Sequence, residues 1–592
     1  MHPRHPRHPR QSRIHWCDWL LLLTVFVTSS GWCLTASQQV GLTFDEANYI
    51  ANGLERRRTG SYYQLMRQGT MPLPIDVTSL TVYAMELGRD KPFRIGTDGR
   101  SQPVVGEDIP QVMHTARGGT LLFWGVLLLY GFLTAHQIAG PWAGRLALVM
   151  LAVEPNFLGH AVLATTDIAV TACTLAFAFH YARGRDQRAL HRVWIPGLWY
   201  GFALLSKASA LVFGPLCMIA IELHRWTARR DDTSLALQPV PIQRSLTLME
   251  RWKATRDFRR DFFSVIGIGV LLMFAYVGTD FSPEPSFLKW AQGLEEGSGR
   301  SIMLFIAESL RIFPNAANAL AYQIKHNMKG HGSYLLGEVF PKAKWYYFPI
   351  AMTMKLTVPM MVMLLMVALV RLRSLWNWAM LAALALIAFS VTYRVQIGIR
   401  MVFPGMAMLI VGLACAVVFA IRSFQLPGSR TAMAAAIGGL LTWSVVIACC
   451  AWPDGVSYIN ELWGGQRNGY KLLSDSNYDW GQGLPQLDEW RREQKLEQID
   501  LWCFSTDPAQ FSPQYHRLML HVEPVANLGE LAGRMKTQYL AVGTTLLYGA
   551  YADGTWAHVP ALLRGITPVA QTSTFMVFRI AEEEPSPAIP CE

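Results

Sequence analysis

Residues 401–421 read MVFPGMAMLIVGLACAVVFAI, with Arg400 before them and Arg422 after. No Asp, Glu, Lys, Arg or His interrupts the run. A helix crossing the hydrocarbon core of a bilayer needs about 20 apolar residues. The run therefore predicts a transmembrane helix bracketed by arginines. Working outward, further apolar runs lie at 19–34, 119–138, 143–153, 163–181, 194–205, 208–223, 262–277, 346–370, 376–392 and 432–452. Two of them, 143–153 and 194–205, are short and imply tilt or continuation past these limits. The predicted fold class is an α-helical multi-spanning membrane protein with about 11 transmembrane helices.

Composition agrees. The 592 residues are 52% hydrophobic and 16% charged, whereas soluble domains carry nearer a quarter charged residues. The net charge of +10 would suit nucleic acid, but the Lys and Arg residues fall in short clusters between apolar runs. That pattern reads as membrane topology, with no nucleic-acid partner. Most of the nine cysteines lie in or beside apolar runs and read as small hydrophobes. Cys503 and Cys591 are open to pairing if the tail is extracytoplasmic.

Lys/Arg asymmetry orients the chain. The basic tail 1–18, with its His-Pro-Arg repeat at His2, His5 and His8, is read as cytoplasmic. Arg183, Arg185, Arg188, Arg192, the basic loop at 224–261, Arg371, Arg373, Arg422 and Arg430 fall on that same side when eleven spans are counted. The first run is taken as an uncleaved anchor. The opposite side receives large loops at 37–118 and 279–345 and a C-terminal domain at 453–592. The location is the cell inner (plasma) membrane, multi-pass, with the N-terminus cytoplasmic and the C-terminus periplasmic. In the C-terminal part, 486–498 predicts a charged helix, and 499–504, 538–547 and 574–580 predict strands of a small α/β domain.

Several polar groups gather on the predicted outer face. Asp45 and Glu46 follow the first span; the simple reading is a helix start capped by Thr43 or Asp45. Ionisable groups at a bilayer are also functional candidates by default. Asp167 lies near the outer end of the fourth span, Lys207 between the fifth and sixth, and Lys355 about nine residues into the eighth. Arg394 and Arg400 bound the short loop before 401–421. Snorkelling explains one such cation; four suggest an anion, and a phosphate suits Arg and Lys donors. The segment Asp475–Gln482 mixes Asp475, Asn477, Asp479 and Trp480 in the way sugar sites do, and reads equally as a polar turn. His326 and His331 in the second outer loop read first as surface histidines.

The motifs Phe44-Asp45-Glu46, Asp167 after Pro155-Asn156-Phe157-Leu158-Gly159-His160, and Leu205-Ser206-Lys207 resemble those of the GT-C glycosyltransferases. Further stretches sharpen the resemblance: Gly332–Glu338, Met354-Lys355-Leu356-Thr357-Val358-Pro359, Gly398–Pro404, Tyr458–Glu461 and Asp475–Gln482. Together, over about residues 40–490, they are similar to the bacterial lipid-carrier-dependent enzymes of the protein O-mannosyltransferase and lipid A aminoarabinose transferase type. One departure is Met71-Pro72-Leu73-Pro74, where many relatives carry a His-Pro-Pro-Leu type segment. No role of that His carries over.

The resemblance implies a catalytic domain over 19–452 and an inverting transfer of a sugar from a polyprenyl-phosphate donor to an acceptor hydroxyl. The acceptor class stays open between protein, lipid and cell-envelope polymer. Asp45 would be the base and Glu46 its orienting partner. Arg400 and Lys207, then Lys355 and Arg394, would hold the donor phosphate. Asp167, His331, Asp475, Asn477, Asp479 and Trp480 would contact sugar or acceptor. No metal ligand is assigned and no cofactor is required, with Mg or Mn left open. The competing classes are a secondary transporter or flippase, and a polysaccharide polymerase or ligase using lipid-linked sugars. Transporters place ionisable groups near mid-membrane and often show internal repeats; here the acids sit at the surface.

Overall fold

The computed structural model describes residues 14–97, 103–104, 106, 108–234, 256–281, 283, 285–309, 315–549 and 556–580. The His-Pro-Arg repeat, most of the basic loop at 224–261 and Cys591 lie outside the described residues. Cys503, the other half of the expected pair, is buried with Sγ 3.8 Å from Gln510 Oε1.

Each of the eleven apolar runs carries a helix. Six helices among the described residues are long and apolar enough to cross a membrane: Trp16–Ser37, Ile109–Ala139, Arg256–Val277, Val358–Leu375, Ile399–Ser423 and Pro427–Cys450. Pro141–Ala152 and Trp378–Ser390 are apolar but shorter. At about 1.5 Å per residue, the twelve residues of Pro141–Ala152 reach only about 18 Å.

The segment 401–421 is the central post of the bundle. Its helix is almost wholly buried, against Ile109–Ala139, Pro141–Ala152, Asp167–Gly184 and Trp378–Ser390. At Gly412 the neighbouring backbone comes so close that a Cβ would lie 2.7 Å from Met380 N. Asn377 Nδ2 donates to the Gly412 carbonyl there at 3.0 Å.

The expected single span 346–370 is broken in two, Tyr347–Lys355 and Val358–Arg371. The reason is Pro359, which has no N–H to give and whose ring excludes the carbonyl four residues back. Freed carbonyls inside a bundle need other donors. Asn460 Nδ2 donates to the carbonyls of Thr353 and Leu356 at 2.7 and 2.8 Å, and Asn156 Nδ2 donates to that of Lys355 at 2.8 Å. Replacing Asn460 with Ala strands two carbonyls and is expected to cost about 1–3 kcal/mol, read as a lowered melting temperature of the solubilised protein. An unchanged melting temperature would show that the break needs no such donor.

The C-terminal part carries a five-stranded mixed sheet. Its order is Tyr515–Arg517, Ile499–Trp502, Tyr539–Gly543, Phe575–Arg579, Ala570–Gln571. The first two pairings are parallel and the last two antiparallel. Both faces are covered: Leu501, Ala541 and Val577 pack with Leu484 and Leu487, while Trp502, Val542 and Met576 pack with Leu547 and Val559. That double burial explains why the central strands are continuous apolar runs. The expected helix 486–498 is shorter and earlier, Leu484–Glu493, and ends before Lys495 at a left-handed φ of 56°. The expected strand 538–547 stops at Gly543 and turns into the short helix Thr544–Tyr548. Tyr515–Arg517 and Ala570–Gln571 were not anticipated.

Candidate active site

The loop before the helix Glu46–Thr59 is held from behind by the C-terminal part of the chain. Gly41 N donates to Gln482 O and Phe44 N to Trp480 O, both at 2.8 Å. Leu42 N donates to Asp507 Oδ2 at 2.9 Å, and the Phe44 ring stacks on Phe504 at 4.5 Å. Residues 41–44 are therefore clamped, which fixes where the next two side chains point.

Those two acids point in different directions. Glu46 is fully buried. Arg117 Nε and Nη2 donate to its two oxygens at 2.9 and 2.8 Å, and Ala164 N and Thr43 N add bonds at 2.8 and 2.9 Å. The remaining Arg117 donors go to the carbonyls of Ser37, Val40 and Gly41. All five guanidinium N–H groups are thus used. Burial pushes the Glu46 carboxyl up, but the Arg117 charge and these hydrogen bonds outweigh it and hold it below the usual value.

Asp45 stands at the start of the same helix and makes no capping bond through its side chain. The capping expectation for Asp45 is corrected, because its side chain accepts no first-turn N–H. Asp45 turns instead to Arg400, with Nη1 3.0 Å from Oδ2. Its side chain is 26% exposed, against 6% for Arg400.

From Arg400 the ionic chain continues inward. Arg400 Nη1 lies 3.5 Å from Asp167 Oδ2, and Lys207 Nζ donates to Asp167 Oδ1 at 2.6 Å. Asp167 begins the helix Asp167–Gly184 and is fully buried, while Lys207 ends the helix Ile195–Ser206 and is 23% exposed. Arg400 is braced by Ser476, whose Oγ accepts from Nε at 2.9 Å, and its guanidinium lies 4.1 Å over the Trp480 ring. A buried cation shared by two carboxylates and an aromatic face is strongly placed. Asp45, Asp167, Lys207 and Arg400 come from four separate segments, and the structure brings all four together.

Other expected site residues are placed differently. Lys355, expected to hold phosphate, is fully buried at the helix break and outside the ionic chain, with Nζ donating to the carbonyls of Val456 and Asn477 at 2.7 and 2.5 Å. Arg394 is exposed and reaches Met328 O at 3.3 Å, in the segment 279–345. His331 N donates to Arg394 O at 2.9 Å, in the same place and outside the ionic chain.

The segment 475–482 supports the site from beneath. Asp475, with a left-handed φ of 55°, accepts from Ser476 N at 2.6 Å. Asn477 accepts from Ile399 N and donates to Tyr347 Oη, each at 2.8 Å. Asp479 accepts from Thr545 N at 2.9 Å and Gly481 N at 3.2 Å. Burial pushes its carboxyl up to about 7. Asp475, Asn477 and Asp479, expected to contact sugar or acceptor, are buried, and their polar atoms bind the protein's own backbone and side chains. Trp480 touches the site through Arg400.

Arg117 and Ser476 were missed. Arg117 stands two residues before an apolar run, a position the charge asymmetry treats as a boundary. Its partner lies 71 positions away, beyond the reach of local pattern. Ser476 lies within Asp475–Gln482, where charged neighbours dominate the pattern.

Residues 111–236 match the family model described as dolichyl-phosphate-mannose-protein mannosyltransferase. This match covers about a fifth of the chain and shows a likeness to that family. The matched segment holds Arg117, Asp167 and Lys207, and the resemblance to the O-mannosyltransferase type is borne out there. No curated protein sequence matches the chain. Among solved structures, it is similar to ArnT from Cupriavidus metallidurans bound to undecaprenyl phosphate, at 12% identity and a TM-score of 0.45, over 96% of this chain and 99% of that one. It is also similar to the archaeal oligosaccharyltransferase AglB from Archaeoglobus fulgidus in complex with an inhibitory peptide and a dolichol-phosphate. There the identity is 12% and the TM-score 0.42, over 96% of this chain and 75% of that one.

Proposed function

We propose that this multi-pass membrane glycosyltransferase moves a sugar from a polyprenyl-phosphate donor to an acceptor hydroxyl at the outer face of the membrane, with inversion. The observation that carries the proposal is the Asp45–Arg400–Asp167–Lys207 chain. It offers a carboxylate and two cations at one opening, which is the pairing that base-assisted displacement of a phosphate requires.

An acceptor hydroxyl is far too weak an acid to ionise at neutral pH, so attack on the anomeric carbon needs a base in reach. Asp45 is the more exposed of the two acids in the chain. The departing lipid phosphate gains negative charge, which Arg400 and Lys207 stabilise. Asp167 keeps those cations aimed. A phosphate arriving on Arg400 takes over the pairing with Asp45 and leaves Oδ2 for the acceptor proton. Glu46 acts as a positioning residue through Arg117. Arg394 and His331 belong to a different part of the outer surface, where they can meet only the distal end of an acceptor.

The eleven-span topology puts every member of the chain on one side. The test uses right-side-out and inverted vesicles holding the protein, with a radiolabelled polyprenyl-phosphate sugar in the lipid. Label is expected to leave the solvent-extractable lipid and enter a new glycoside on the outer side, with release of polyprenyl phosphate. Label that changes leaflet without forming a glycoside would make the protein a flippase and end the transferase reading.

A further inference from the structure

The buried post Ile399–Ser423 has a second charged opening at its far end. Arg371, Arg373, Ser374, Phe419, Arg422 and Ser423 line a cavity of about 280 Å³. Arg422 lies 22 positions after Arg400. At about 1.5 Å per residue that is roughly 33 Å along the helix, the thickness of a bilayer core. The cavity and the Asp45 cluster therefore sit at opposite ends of one membrane-crossing helix.

Arginines at one end of membrane helices are expected from topology alone. Three further features go beyond that. Among the described residues, Arg371, Arg373 and Arg422 form no ion pair, and no acidic side chain lines the cavity. Ser374 is buried in its wall, and its hydroxyl has no hydrogen-bond partner. A buried hydroxyl left without a partner is costly, so the site is built for an acceptor or donor from outside. Finally, Leu369, Val370, Leu372 and Trp376, neighbours in sequence of the lining residues Arg371, Arg373 and Ser374, are exposed apolar side chains. A polar socket with three cations, opening onto an apolar skirt, has the shape of a lipid headgroup site.

We infer that this cleft binds the phosphate of an anionic phospholipid, with Arg371, Arg373 and Arg422 around the phosphate oxygens and the Ser374 hydroxyl bonded to one of them. The acyl chains then run along Leu369, Val370 and Leu372. Trp376 sits at headgroup depth, as interfacial tryptophans do. Soluble phosphate shares the headgroup's charge but gains nothing from the skirt.

The test compares phosphatidylglycerol with phosphatidylcholine on purified full-length protein, reading lipid retained after delipidation by native mass spectrometry. Wild type is expected to retain phosphatidylglycerol selectively. Each Arg→Gln change at 371, 373 or 422 is expected to weaken retention about fivefold, the effect of roughly 1 kcal/mol per basic residue near a lipid surface. A control pair, Arg183→Gln with Arg188→Gln, is expected to leave it unchanged. Ser374→Ala, which removes only the hydroxyl, is expected to weaken retention even if an arginine variant fails to fold. Equal retention by wild type and Ser374→Ala, or equal loss in the Arg183/Arg188 control, would overturn the site. Displacement of the lipid by inorganic phosphate at matched concentration would overturn the lipid as its ligand.

Discussion

Asp45→Asn is expected to lower sugar transfer by roughly 10²–10⁴-fold, the usual contribution of a general base. Asparagine keeps the size of the side chain and can still accept a hydrogen bond from Arg400 Nη1, which lies 3.0 Å from Oδ2 in the wild type. It cannot accept the acceptor's proton. The variant also leaves Arg400 without its outer carboxylate, so a donor phosphate meets less competition for the guanidinium. The expected signature is a collapse of kcat with KM for the lipid donor unchanged or lower. Loss of Arg400 itself would raise donor KM, which separates the two roles. Transfer at the wild-type rate by Asp45→Asn would remove Asp45 from the chemistry.

The second large effect concerns stability. Glu46→Gln leaves the Arg117 guanidinium buried with its charge unopposed, and breaking a buried pair in this way costs about 3–5 kcal/mol. The sign with pH follows from the depressed carboxyl. Burial alone would raise it, but Arg117 and the N–H donors of Thr43 and Ala164 pull it below the ordinary 4.5. The folded state therefore holds the proton less tightly than the unfolded chain does. The Glu46 contribution is complete above about pH 4.5 and is lost as the pH falls through the lower, folded value. Thermal unfolding of the solubilised protein is expected to show a lower melting point for Glu46→Gln at neutral pH and a shallower fall on acidification. Parallel curves for wild type and variant would mean that Glu46 is not ionised in the folded protein.

The membrane helices were legible because lipid imposes a simple rule: a long run without charge must bury its backbone bonds in a helix. The meeting of Asp45, Asp167, Lys207 and Arg400 was also legible in outline, since charge asymmetry places all four on one face. Side-chain direction was not. Asp45 and Glu46 are adjacent and of like charge, yet Glu46 turns inward to Arg117, 71 positions on, while Asp45 turns to Arg400. Lys355 looked like a phosphate ligand because it interrupts an apolar run. The structure shows why a cation sits there: carbonyls of a neighbouring segment, Val456 and Asn477, converge at the Pro359 break. The acids and amides of 475–482 imitate a sugar site because bracing a buried arginine and binding a sugar both call for dense polar bonding. Local pattern cannot separate these uses.

The clamp on residues 41–44 has a consequence for biosynthesis. Asp45 enters the membrane early, behind the first helix, but Trp480, Gln482 and Asp507 hold its loop, and Ser476 braces Arg400. These residues lie more than 400 positions downstream of Asp45. A ribosome-bound chain with ten helices inserted still lacks the supports that aim Asp45. On the proposed function, activity begins only when the last fifth of the polypeptide has folded back onto the first loop. The nascent enzyme is silent while it is being made, and a chain truncated after its final helix is expected to insert normally and remain inert.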